Sequence, residues 1–145
     1  MTTNLRVSLA VALLVASALG AATASAETPS PPGATVYFIN LKDGDRVTSP
    51  FKIQFGLTGM GVAPAGSQNP NTGHHHLLID TQISPDQMKQ PIPVDAQHRH
   101  FGGGQTEVVL TLPPGPHTLQ LVLGDGAHTP HEPPVVSPVI KVTVQ

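Results

Sequence analysis

Apolar and polar residues alternate over short runs, with sixteen prolines and fourteen glycines punctuating the chain and no stretch of sustained helical spacing. Together these features predict an all-β chain folded as a two-sheet sandwich of about seven strands. The first strand is expected at residues 35–40, closed by the turn Lys42-Asp43-Gly44-Asp45. The clearest is 51–58, where Phe51, Ile53, Phe55 and Leu57 share one face and Lys52, Gln54, Gly56 and Thr58 the other. Residues 59–73 are rich in Gly, Pro, Ser and Asn and form a long loop of the kind that carries function. A strand over 75–80 follows, and prolines 85, 91 and 93 then leave room only for irregular or edge structure. Residues 105–112 and 117–123 read as a hairpin-like pair across Pro113-Pro114-Gly115-Pro116. A second Pro/Gly/His loop leads to the closing strand at 138–144. Short strands in this number and spacing imply immunoglobulin-like topology.

Composition sets the compartment. Arg6, an apolar run from Val7 to Ala22 and the exit Ala24-Ser25-Ala26 have the order of an export signal cleaved after Ala26. The expected organisation is therefore a signal peptide at 1–26, a Pro-rich tether at 27–34 and one domain at 35–145, in the periplasm or secreted. The apolar run is shorter than the ~20 residues a span needs, so no membrane span is expected after cleavage. With no cysteine, the domain has neither disulfides nor a thiolate metal site, and stability must come from apolar burial. A formal charge of −2 supplies no basic stripe for nucleic acid.

The chemistry lies in eight histidines. His74-His75-His76 leads into Leu77-Leu78-Ile79-Asp80, and His98, His100, His117, His128 and His131 follow. In an extended chain, residues two apart point the same way, so His74 pairs with His76 and His98 with His100, while His75 points away. Immunoglobulin-like connectivity brings the start of the 75–80 strand, the approach to 105–112 and the loop after 117–123 to one pole. His74, His76, His98, His100, His128 and His131 would then be candidate ligands of Cu(II) or Zn(II), with Asp125 or Glu107 orienting them. His117 falls at the other pole, in phase with Leu119, Leu121 and Leu123, where a structural corner hydrogen bond is expected.

Gly102-Gly103-Gly104 lacks the Lys and Ser/Thr of a phosphate loop and precedes a strand, and no serine sits in a nucleophile elbow. The leading reading is an exported binding module holding a metal ion or small ligand at its histidine pole. One alternative is a non-metal module recognising a protein, glycan or small anion, its protein partner unspecified. Another is a metal-dependent enzyme, for which spacing reveals no acid/base pair.

Five ordered motifs carry a family resemblance: Phe55-Gly-Leu-x-Gly-Met60-Gly-Val-Ala-Pro-Ala-Gly66, Gly73-His-His-His-Leu-Leu-Ile-Asp80, His100-Phe-Gly-x-Gly-Gln-Thr-Glu107, Pro114-Gly-x-His-Thr-Leu-Gln-Leu121 and Gly124-Asp-x-x-His128-x-Pro-His131. The chain resembles the bacterial family called domain of unknown function 4399, over most of its length after residue 26 and least over 83–97. The resemblance implies a small, exported, mostly β domain and assigns no catalytic residue.

Overall fold

The computed structural model describes residues 27–145. The expected export signal lies outside the described residues. Nine strands form in order: β1 (Thr35–Phe38), β2 (Arg46–Val47), β3 (Phe51–Thr58), β4 (Gly61–Val62), β5 (Thr72–Ile79), β6 (His98–His100), β7 (Glu107–Leu110), β8 (Gly115–Gly124) and β9 (Ile140–Val144). One 3-10 turn at Pro85–Lys89 is the only helical element among the described residues, and no helix there is long and apolar enough to cross a membrane.

The strands divide into two sheets. β1, β3 and β7 form one, in that order, and β2-β9-β8-β5-β4 form the other, with β6 also paired to β5. Alternation explains why they meet. Val36, Phe51, Ile53 and Phe55 from the first sheet join Leu77, Ile79, Leu119, Leu121, Leu123, Ile140, Val142 and Val144 from the second in one buried cluster. Each fully buried aliphatic side chain there contributes about 1.5–3 kcal/mol relative to leaving it exposed.

β5 is buried on both faces and has no solvent-exposed side. Leu77 and Ile79 enter the main core, as does His75, whose ring centroid lies 5.2 Å from that of Phe55. On the opposite face, Leu78 joins Ile92 and Val122 in a satellite cluster, in phase with His74 and His76. The division of the histidine triplet by strand phase is thus realised, with its paired members on the outer face of the larger sheet.

Two expectations change. β5 begins at Thr72, so the three histidines lie within the strand instead of at its start. Residues 27–34 do not form a free tether: Thr28 and Ser30 hydrogen-bond along Glu132, with Glu132 N donating to Thr28 O (2.9 Å) and Ser30 N to Glu132 O (3.1 Å).

His117 sits at the far end of β8 and fixes a corner. Its Nδ1 donates to Asp80 Oδ2 (2.8 Å) and its Nε2 to the Pro113 carbonyl (2.9 Å), while Asp80 Oδ1 accepts from Thr118 N (3.0 Å). Both ring nitrogens face acceptors, which the imidazolium satisfies best. Burial pushes its pKa down, but Asp80 and Pro113 outweigh burial and raise it above the ordinary value. Stability from this corner is therefore complete below the ordinary histidine pKa and fades as pH rises through the raised one. Replacing His117 with alanine is expected to cost about 1–2 kcal/mol at pH 6 and less at pH 9, measured by urea unfolding. A cost independent of pH would contradict a charged corner.

Candidate metal centre

Strand register assembles the site. β8 runs antiparallel to β5 with Gly124 opposite His74, and β6 runs antiparallel to β5 with His100 opposite His76. His74, His76 and His100 are therefore cross-strand or same-face neighbours fixed by ladder hydrogen bonds. The turn that follows β8 adds His128. One ring nitrogen from each of these four residues lies within 4.8 Å of all the others.

The contacts are closest among three. His76 Nε2 is 3.0 Å from His74 Nε2, which is 3.1 Å from His128 Nδ1. His100 completes the group, its ring centroid 4.7 Å from that of His128 and 5.0 Å from those of His74 and His76. A tetrahedral ion with ~2.0 Å bonds to nitrogen has an edge of about 3.3 Å, so the three close nitrogens need little movement to share one ion.

Hydrogen bonding alone leaves the cluster poorly satisfied. A ring nitrogen carries either one proton or one lone pair, so His74 Nε2 cannot make two full hydrogen bonds to its two neighbours. His74 Nδ1, His76 Nδ1 and His100 Nε2 are buried without a partner. Buried polar groups are normally paired, and a cluster of exceptions calls for an explanation. A cation receiving several lone pairs would supply one for the facing nitrogens. The usual carboxylate or carbonyl behind a metal-bound imidazole is absent at His74 and His76, whose Nδ1 atoms point into protein without an acceptor.

Electrostatics favour the neutral form of His74, His76 and His100. Burial pushes the His74 pKa down to about 4, with repulsion from His100 and His128 adding to it, and pushes His76 down to about 3 with help from His74. His100 is lowered as well, by burial and then by His128. Neutral imidazole is the form that binds a metal ion.

Space at the centre is tight. A Cβ on Gly124 would lie 2.8 Å from His76 Nε2, and one on Gly102 would collide with the His100 ring, so both positions need glycine for these rings to sit where they do.

The remaining candidates lie elsewhere. His98 shares a face with His100 but is opposite Leu78, one pleat repeat away from the cluster. There its Nδ1 donates to Asp95 Oδ1 (2.8 Å). His131 is buried and its Nε2 donates to Thr72 O (3.2 Å), pinning the start of β5. Glu107 is on the other sheet, paired with Lys52 at 2.9 Å. Asp125 is buried beside the His128 turn, close enough for its charge to act on His74. Sequence reading found all four clustered histidines but not the short β6 strand that places His100. A three-residue strand has no usable period, and only the His-x-His spacing hinted at it.

The fold and site define a β domain whose larger sheet carries a partly buried histidine cluster on its outer face. The family model for domain of unknown function 4399 matches residues 53–145, and the chain belongs to that family. The match spans every residue of the cluster and both glycines beside it. No curated protein and no solved structure matches the chain.

Proposed function

We propose that this protein is an exported binding module whose centre, formed by His74, His76, His100 and His128, holds a transition metal ion, Cu(II) or Zn(II), as cargo for storage, delivery or tolerance. The observation that carries this reading is the convergence of four ring nitrogens within 4.8 Å, two of them from histidines with no exposed surface. An all-imidazole set suits both ions, and by the usual affinity order copper wins in direct competition. The strand orders β1-β3-β7 and β9-β8-β5 support immunoglobulin-like topology as the scaffold. The Ala24-Ser25-Ala26 exit supports export.

Metal analysis of the untagged protein, followed by titration of the metal-free form, tests the reading. One Cu(II) or Zn(II) per chain is expected. The absence of bound metal, together with no affinity tighter than about millimolar, would end it.

A further inference from the structure

Three of the four clustered histidines sit on ladder-paired strands, but His128 sits on a turn. Its φ of 68° is in the left-handed region, which a non-glycine residue holds only when its surroundings enforce it. The enforcing group is Asp125. Its Oδ1 accepts from Ala127 N (2.8 Å) and Thr129 N (2.9 Å), on either side of His128. The backbone closes the same turn, His128 N donating to Asp125 O (2.9 Å) and Asp125 N to Thr129 O (2.8 Å). The other carboxylate oxygen, Oδ2, accepts from Thr28 Oγ1 at 2.6 Å, across 97 positions of sequence.

Thr28 belongs to the amino-terminal segment that runs along Glu132, where Ser30 Oγ also donates to the Pro133 carbonyl (2.6 Å). That segment is a strap over the loop carrying His128. Thr28 and Asp125 also line a polar cavity of about 280 Å³ with Ser67, Asn69 and Thr72, so substitutions here leave the apolar core untouched.

We propose that Thr28 and Asp125 are positioning residues of the histidine centre, through which the amino-terminal strap clamps the turn that presents His128 to the ion. The proposal rests on the metal-centre reading and adds a dependence of metal affinity on a segment that contributes no ligand. Ligand orientation of this kind is worth 10–100-fold in affinity at known metal sites. Linkage makes the effect reciprocal, so bound ion must also tighten the strap.

The test titrates Cu(II) into the metal-free wild type, Thr28→Val, Asp125→Ala and Asp125→Asn, and counts coordinated nitrogens by electron paramagnetic resonance. Amide exchange at Ala127 and Thr129 is followed in the metal-free proteins. Asp125→Ala is expected to bind about 10–100-fold more weakly with one nitrogen fewer, and Thr28→Val about tenfold more weakly. Asp125→Asn keeps an acceptor oxygen for Ala127 and Thr129 and should recover part of the loss. Faster exchange at those two amides in Asp125→Ala is expected without metal, and slower exchange at Ser30 and Glu132 in the wild type on adding Cu(II).

Unchanged affinity and nitrogen count in Asp125→Ala would overturn the clamp while leaving the centre standing. Unchanged Ala127 and Thr129 exchange in that variant would overturn it without reference to metal. A wild type that takes up no Cu(II) would overturn the centre itself and the positioning role with it.

Discussion

Replacing His74 and His76 together with leucine is expected to abolish metal binding while leaving the metal-free protein at least as stable as the wild type. Both side chains are fully buried, and each leaves its Nδ1 without a partner. An unpaired buried polar group costs about 1–3 kcal/mol, which an apolar side chain of similar size does not incur. If the imidazoles were there for stability, removing them should weaken the fold. If they are there for an ion, the fold tolerates their cost for the sake of binding.

Thermal unfolding separates the two cases. At an ion concentration about a thousand times the dissociation constant, wild-type stability should rise by about 4 kcal/mol, and the double variant should show no rise. A metal-induced shift persisting in the variant would remove His74 and His76 from the site. A large loss of metal-free stability would give them a structural role instead.

How much of this centre could be read in the sequence depended on which part of the geometry set each residue's place. Strand period alone separated His74 and His76 from His75, because side chains alternate across a strand whatever the tertiary structure. Register was not legible. His98 and His100 share a face, and only the pairing of His100 with His76 and of His98 with Leu78 decides which one joins the cluster. A shift of two residues in that pairing would put His98 opposite His76 in place of His100.

His128 and His131 pose the same problem on a loop. The Asp125 turn brings His128 inward, and His131 instead bonds to Thr72 O. Side-chain bonds from a buried carboxylate to amides two and four residues on leave little trace in composition. The main strands were readable because each buries a continuous apolar face, whereas β2, β4 and β6, of two or three residues, are too short to show a period. The docking of residues 28–30 was hidden for a related reason: a Pro-rich segment looks like a tether unless its hydrogen-bond partners, 97 or more positions away, are known.

The metal-free protein is expected to lose stability steeply as pH falls below the ordinary histidine value, and His75 is the residue that isolates the effect. It is fully buried in the core beside Phe55, whose ring packs in turn against Phe101, on the opposite face of β5 from the cluster. Burial pushes its pKa from 6.5 down to about 4, only partly offset by the backbone of Gly56 and Gln105. The unfolded chain takes up a proton on this ring near pH 6.5 and the folded chain does not until about pH 4. Between those values the unfolded state binds more protons, so stability falls as pH falls.

A difference of about 2.5 pH units corresponds to roughly 3 kcal/mol from His75 alone, a large part of the 5–15 kcal/mol that holds a typical domain together. His74 and His76, lowered to about 4 and about 3, act in the same direction, while the raised His117 corner acts in the opposite one. Substituting leucine for His75 leaves the clustered rings in place and removes one titrating group. Urea unfolding of the metal-free wild type and His75→Leu between pH 7.5 and 4.5 should show a slope in stability shallower by about 1 kcal/mol per pH unit near pH 5 in the variant. Parallel slopes would mean that the buried ring takes up its proton in the folded state, and the acid sensitivity would then belong to the outer-face cluster alone.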